Sequence, residues 1–124
     1  MAAGDNPNLA STEALVTIAG RALAHKAEQI STGGDNSILT AVADKHYHIR
    51  AIMINNAGGS DVSVYVKITQ GGSAVKLYPV LLKAGSIFSK KVAPDYYETD
   101  VNTAVIINLS DAVAVNYQID YGVA

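Results

Sequence analysis

The residues best equipped for chemistry are histidines: His46 and His48 flank Tyr47, and His25 stands apart. On an extended strand, positions two apart project from one face, so the imidazoles of His46 and His48 would stand side by side. Imidazole nitrogens are ordinary zinc ligands. A zinc site needs further ligands, and Asp44 is the only local carboxylate candidate. The plainer reading is two solvent-facing histidines at the exposed end of a strand, and no metal site is expected.

Carboxylates offer no better start. Asp35, Asp44, Asp61, Asp95, Asp100 and Asp111 sit among turn residues, where Asp is favoured because its side chain bonds nearby backbone. A catalytic carboxylate pair needs surroundings that push the two pKa values apart, and no sequence feature points to such a cleft. There is no Gly-x-Ser-x-Gly elbow. Gly33-Gly34, Gly58-Gly59 and Gly71-Gly72 belong to turns rather than to a phosphate-binding loop. No catalytic residue and no cofactor is expected.

The tyrosines carry a different kind of signal. The chain has seven Tyr, one Phe and no Trp. Tyr65 and Tyr78 fall on predicted outward or edge faces, and Tyr96 and Tyr97 in a long loop. Tyr pairs an apolar ring with a polar tip, which suits interfaces and sugar-binding surfaces, although it is also a good strand residue. These four, with Leu9, Leu15 and Ile18 near the N-terminus, are the interface candidates.

The elements that would position them read as β almost throughout. Residues 1–12 are rich in Gly, Asn, Pro and Ser and look like a flexible arm. Residues 13–30 are ambiguous. Leu15, Ile18, Ala22, Leu23, Ala27 and Ile30 fit a helical stripe, while 21–30 also reads as a strand. The strand is favoured because the turn signal 31–36 and an apolar run follow it. The expected division is an arm at 1–20 and a folded domain at 21–124.

From residue 37 onward, short strands alternate with turns. A strand at 38–42 leads through Ala43-Asp44-Lys45 to a long strand at 47–55. There Tyr47, Ile49, Ala51 and Met53 share one face, and on the other His48 and Arg50 give way to Ile52 and Ile54. That change is expected to mark a strand half solvated and half covered on both sides. At 61–69, Val62, Val64, Val66 and Ile68 alternate with Ser63, Tyr65, Lys67 and Thr69. A tight hairpin at 70–73 returns through Val75, Leu77 and Leu81, with Pro79 marking an edge or a bulge. A strand at 86–91 precedes an irregular stretch at 92–101. A β-prone run at 102–109 and a last strand follow, the latter with Val113, Val115, Tyr117, Ile119 and Tyr121 inward. About eight strands at this spacing are the pattern of a β-sandwich or barrel.

Composition narrows the function classes. The chain of 124 residues suits one domain and has no Cys, which removes disulfides and thiolate chemistry. Nine Lys+Arg against eleven Asp+Glu leave a formal charge of −2, without the basic patch of a nucleic-acid binder. No apolar run approaches the ~20 residues that span a bilayer, and no signal peptide is visible. The protein is expected to be soluble and unexported. Charged residues are 16%, below the typical ~25%; a small domain this poor in charge is expected to bury surface against neighbours.

The stretch 34–69 resembles a pattern recurrent in small structural proteins of tailed bacteriophages. Gly34-Asp35-Asn36 leads into a short apolar strand, and a turn from Ala41 to Lys45 leads into Ile49-Arg50-Ala51-Ile52. The end of the chain is similar too, from Tyr97-Glu98-Thr99 through 101–123. The resemblance spans about residues 28–124. It implies an all-β, jelly-roll-like sandwich of about eight antiparallel strands with an extended N-terminal arm, oligomerising on a virion, often as a trimer. It implies a capsid decoration role, with the major capsid protein or another virion protein as partner, no nucleic acid and no membrane. A tail, fibre or carbohydrate-binding recognition module is the alternative, and an enzyme the third and least favoured.

Overall fold

The computed structural model describes residues 22–91 and 97–124. Leu9, Leu15, Ile18 and Tyr96, and the arm itself, lie outside them. All regular structure among the described residues is β. The strands are β1 (Ala22–Ile30), β2 (Gly34–Leu39), β3 (Tyr47–Asn56), β4 (Val62–Gln70), β5 (Ser73–Leu82), β6 (Ile87–Lys91), β7 (Tyr97–Glu98), β8 (Val105–Leu109) and β9 (Val115–Val123). The strand reading of 21–30 therefore holds over Ala22–Ile30.

Two antiparallel sheets form a sandwich. One, sheet A, has the order β1-β9-β3-β6, with β7 also pairing β3; the other, sheet B, has the order β2-β8-β4-β5. The pairings are nested: β4 with β5, β3 with β6, β2 with β8 and β1 with β9. That is a long hairpin rolled on itself, the jelly roll. The core lies between the sheets. Ile52, Ile54, Val115 and Ile119 from sheet A meet Val62, Val64, Val66 and Ile107 from sheet B, each no more than 2% exposed. Burying a side chain of this size contributes about 1.5–3 kcal/mol.

The central strand of sheet A departs from simple alternation. Its register with β9 pairs Ile49 with Tyr121 and Ala51 with Asp120, leaving Arg50 as an extra residue. This β-bulge reverses the faces: Tyr47 and Ile49 point inward before it, and Ile52 and Ile54 after it. The expectation that Ala51 and Met53 share a face with Tyr47 and Ile49 is thus corrected. The change from His48 and Arg50 to Ile52 and Ile54 marks the bulge, and it is the start of the strand, 47–49, that is covered on both sides, while Ala51, Met53 and Asn55 are partly exposed.

A second bulge lies in β5, where Val64 pairs with Val80 and Val66 with Leu77. Tyr78 takes a left-handed φ of 53° beside Pro79. The expected irregularity at Pro79 is present on an edge strand, and it moves Leu82 into the core in place of Leu81, which is 57% exposed. Other boundaries shift as well. The second strand begins at Gly34 and stops at Leu39, so Gly34, Asp35 and Asn36 pair with β8 rather than turn, and Val42 is exposed. The irregular 92–101 stretch holds the two-residue β7.

Turns and ends are fastened by side chains. Gly71 and Gly72 both have positive φ, as a two-residue hairpin of the primed type requires, and their amides donate to the two oxygens of Asp100 at 2.9 and 2.8 Å. Asn56 is fully buried. Its amide donates to the carbonyls of Ser60 and Leu82, at 2.8 and 2.9 Å, and its oxygen accepts from the Gly58 amide. Every polar group of that side chain is engaged, as burial demands.

On the outer face of sheet A, His48 is 1% exposed, which corrects the expected solvent-facing histidine. It pairs in register with Gly122. A Cβ built at Gly122 would lie 1.9 Å from His48 Cε1, so only glycine fits beneath the ring. Gly122→Ala is expected to cost at least about 2 kcal/mol by overpacking, read as a lowered urea midpoint. The same change in a His48→Ala background should cost less, and equal costs in both would refute the contact.

Candidate functional site

The sequence-derived site residues separate onto different surfaces. His46 and His48 are not joined by further ligands: no cluster of three or more His, Cys, Asp or Glu suited to a metal occurs among the described residues. His46 instead pairs with Glu98 of β7, Nε2 to Oε1, at 2.6 Å. Beside this pair the backbone of Tyr47 exchanges hydrogen bonds with Thr99, its N–H donating to Thr99 Oγ1 at 2.9 Å and its carbonyl accepting from the Thr99 amide at 2.8 Å. The histidines thus lie where β7 is fastened to β3.

Tyr65 lies on the outer face of sheet B, with the Lys76 ammonium 4.8 Å from its ring centroid, within cation–π range. That face also carries Ile106, opposite Lys67, and the exposed Leu81, opposite Ser63. Asp35 accepts from Lys67 and from Asn108, the latter at 2.8 Å. The hydrogen bond from Lys67, and then that from Asn108, hold the Asp35 carboxyl below the usual carboxylate range.

Tyr78 and Tyr97 come together at the margin between the sheets. Their ring centroids are 6.0 Å apart in a T-shaped arrangement, and Tyr78 also lies 5.6 Å from Phe88. This cluster bridges β5 of one sheet to β6 and β7 of the other, which packs the sandwich margin. The Tyr78 hydroxyl is buried without a hydrogen-bond partner among the described residues. Burial first, and the neighbouring Tyr97 phenol second, push its pKa up to about 12.

A concave site appears on the exposed face of sheet A, at residues the sequence did not single out together. The register places His25 opposite Asp120, Asp120 opposite Ala51 and Ala51 opposite Lys91. This is one row across four strands. Arg50, the extra residue of the bulge, lines the same hollow, whose volume is about 430 Å³. A smaller hollow of about 200 Å³ continues it along the strands past Met53, Ser89 and Gln118, sharing Ala51 and Asp120. Small side chains make the depression: Ala51 sits in the middle of a row whose flanks are long. Among the described residues, His25, Arg50, Lys91 and Asp120 take part in no ion pair with one another. The site offers two fixed cations and an imidazole around one carboxylate. Their meeting requires the strand order, which the sequence does not show.

No protein-family model and no curated protein matches the chain. Among solved structures it is similar to PirA, at 13% identity and a TM-score of 0.45, over 78% of this chain and 92% of that one. It is also similar to a protein of Bacillus endospore appendages, which form disulfide-linked pili, at 14% identity and a TM-score of 0.40, over 83% and 87%. The Yersinia pseudotuberculosis-derived mitogen is similar at 14% identity and a TM-score of 0.38, over 82% and 85%. Likeness of this degree assigns no activity or partner to the chain.

The raised Tyr78 pKa has a thermodynamic consequence. A phenol ionising near 10 in the unfolded chain and about 12 in the folded one makes the unfolded state lose its proton first, so stability falls as pH rises between these values. Urea unfolding at stepped alkaline pH should show that decline, and Tyr78→Phe should lessen it. At neutral pH, Tyr78→Phe should leave stability unchanged or raise it by up to about 1 kcal/mol, since it removes a buried hydroxyl that has no partner among the described residues. A loss would show the hydroxyl to be bonded.

Proposed function

We propose that the chain is a virion structural protein, a capsid decoration protein that binds the outer capsid surface and stabilises it through subunit–subunit contacts. The observation that carries this reading is the margin where β5 passes to β6. Leu81 and Ile87, 57% and 63% exposed, flank the turn at Lys83, Ala84 and Gly85, one on each sheet. Both strands are sheet edges. Apolar side chains at a margin where two sheets end are suited to burial against another subunit. The low charge of the chain and its resemblance to phage structural proteins point the same way.

In this reading the protein assembles in the host cytoplasm as a homo-oligomer, a trimer by the resemblance, and meets the major capsid protein on the particle. Each contact can be weak because many act together on one lattice. The jelly roll serves many unrelated functions, so the role rests on the surface and the resemblance and not on the fold.

Purified protein mixed with undecorated capsids should bind to saturation and raise the temperature at which the particles come apart. Leu81→Asp combined with Ile87→Asp should lower both occupancy and oligomeric mass, the latter read by sedimentation. Absence of binding, or binding without stabilisation, would remove the cementing role.

A further inference from the structure

The hollow on sheet A reaches β6, but its charged lining gathers around Arg50, Asp120 and Lys91, four residues along that strand from Ile87. Three features describe what would fill it. Its cationic groups, Arg50 and Lys91 with His25 beside them, exceed its one carboxylate, Asp120. None of them is paired with another, so their charges are available to a ligand. Arg50 is the extra residue of a bulge, a device that re-aims a side chain and recurs beside binding sites.

The position excludes one class of ligand. The hollow sits on the face of four paired strands, where backbone N–H and C=O groups are spent on the ladders. An extended peptide adds to a sheet edge through free backbone groups, and the middle of the row, at Asp120 and Ala51, is paired on both sides. Recognition must therefore come from side chains. The carboxylate of Asp120, flanked in register by His25 and Ala51, makes a second selection. A simple oxyanion is attracted by Arg50 and Lys91 but repelled by Asp120, on the strand next to Arg50. A ligand that satisfies all three carries one negative group and adjacent hydroxyl donors. Gln118 and Ser89, in the continuation of the hollow, add further hydroxyl partners, and Ala51 and Met53 supply an apolar floor. The volume of about 430 Å³ lies within the range of small-ligand sites, roughly 300–1,000 Å³.

We propose that this hollow binds an acidic sugar, a pyranose bearing one carboxylate. Arg50 takes the carboxylate in its planar fork, and Lys91 adds a point charge. Asp120 and Gln118 accept from and donate to the hydroxyls, and the C–H face of the ring rests on Ala51 and Met53.

Amide NMR of the full chain, titrated with glucuronate, tests this. The expected result is saturable shifts confined to residues around His25, Arg50, Ala51, Lys91 and Asp120, with glucose at least about tenfold weaker. Arg50→Gln and Asp120→Asn, each with an unchanged unfolding midpoint, should both weaken glucuronate by about tenfold. Sodium sulfate separates the sugar from a bare anion: Asp120→Asn should strengthen sulfate while weakening glucuronate. The proposal is overturned by an absence of shifts, by sulfate binding as well as glucuronate, by glucose binding as well as glucuronate, or by Asp120→Asn strengthening both anions.

Discussion

An antiparallel strand turns alternate side chains to opposite faces, and β3 keeps its large apolar residues inside only because Arg50 is left out of the count. Tyr47 and Ile49 would otherwise share a face with Ala51 and Met53, and Ile52 and Ile54 would face solvent. The strand bearing this bulge is also the best connected in its sheet, pairing with β9 along its length and with β6 and β7 in turn on its other side. A one-residue deletion there would turn half of the sheet A core outward. The cost of the bulge is one unpaired residue. Its return is a continuous inner face and an arginine placed on the outer one.

Closure of the sandwich sets the remaining constraints. A jelly roll leaves two open margins, and open edges invite pairing with other chains. At the β1–β2 margin, Lys26 donates to the Ile38 carbonyl at 2.9 Å and pairs with Glu28 at 3.1 Å. By register both lie on the inner side of their strand, opposite Ile119 and Tyr117. Charge turned inward on an edge strand blocks addition of a further strand while its aliphatic stem covers the core. At the β5–β6 margin, the Tyr78, Phe88 and Tyr97 rings fill the gap, and Pro79 and the bulge interrupt the edge. Polar satisfaction at the strand ends follows the same economy: the Asn56 side chain bonds the β3–β4 turn and the end of β5, and Asp100 holds both glycines of the β4–β5 hairpin.

The molecule therefore presents surfaces of different character. Sheet B shows a mixed face, on which Asp35, Lys67 and Asn108 are joined and Tyr65 is already engaged by Lys76. The β5–β6 margin shows exposed Leu81 and Ile87. Sheet A shows a hollow lined with unpaired charge. Away from its edges, a sheet whose backbone is committed to ladders can acquire such sites only through side chains and through the residues that bulges release. Arg50 and the edge strands therefore carry the surfaces open to other molecules.

Much of the fold was legible in the sequence. The period-two run Val62, Val64, Val66, Ile68 and the Gly71-Gly72 hairpin follow from local physics, since alternation and positive φ are properties of single residues and their neighbours. Pro79 announced an edge irregularity for the same reason, because it lacks an N–H to donate. The faces of β3 were not legible. Arg50 looks like any outward residue, and only pairing with β9 shows it to be supernumerary. Leu81 and Leu82 exchanged places for the like reason in β5. His48 was expected in solvent because a polar residue at a strand end reads so; its burial depends on Gly122, far along the chain. The hollow belongs wholly to tertiary structure. His25, Arg50, Lys91 and Asp120 are spread over the chain, and the strand order that sets them in one row comes from the nested closure of the sheets. The sequence by itself determined a chain of short amphipathic strands with one sandwich core. Which residues meet across those strands was decided by register, because a shift of one residue exchanges inside for outside.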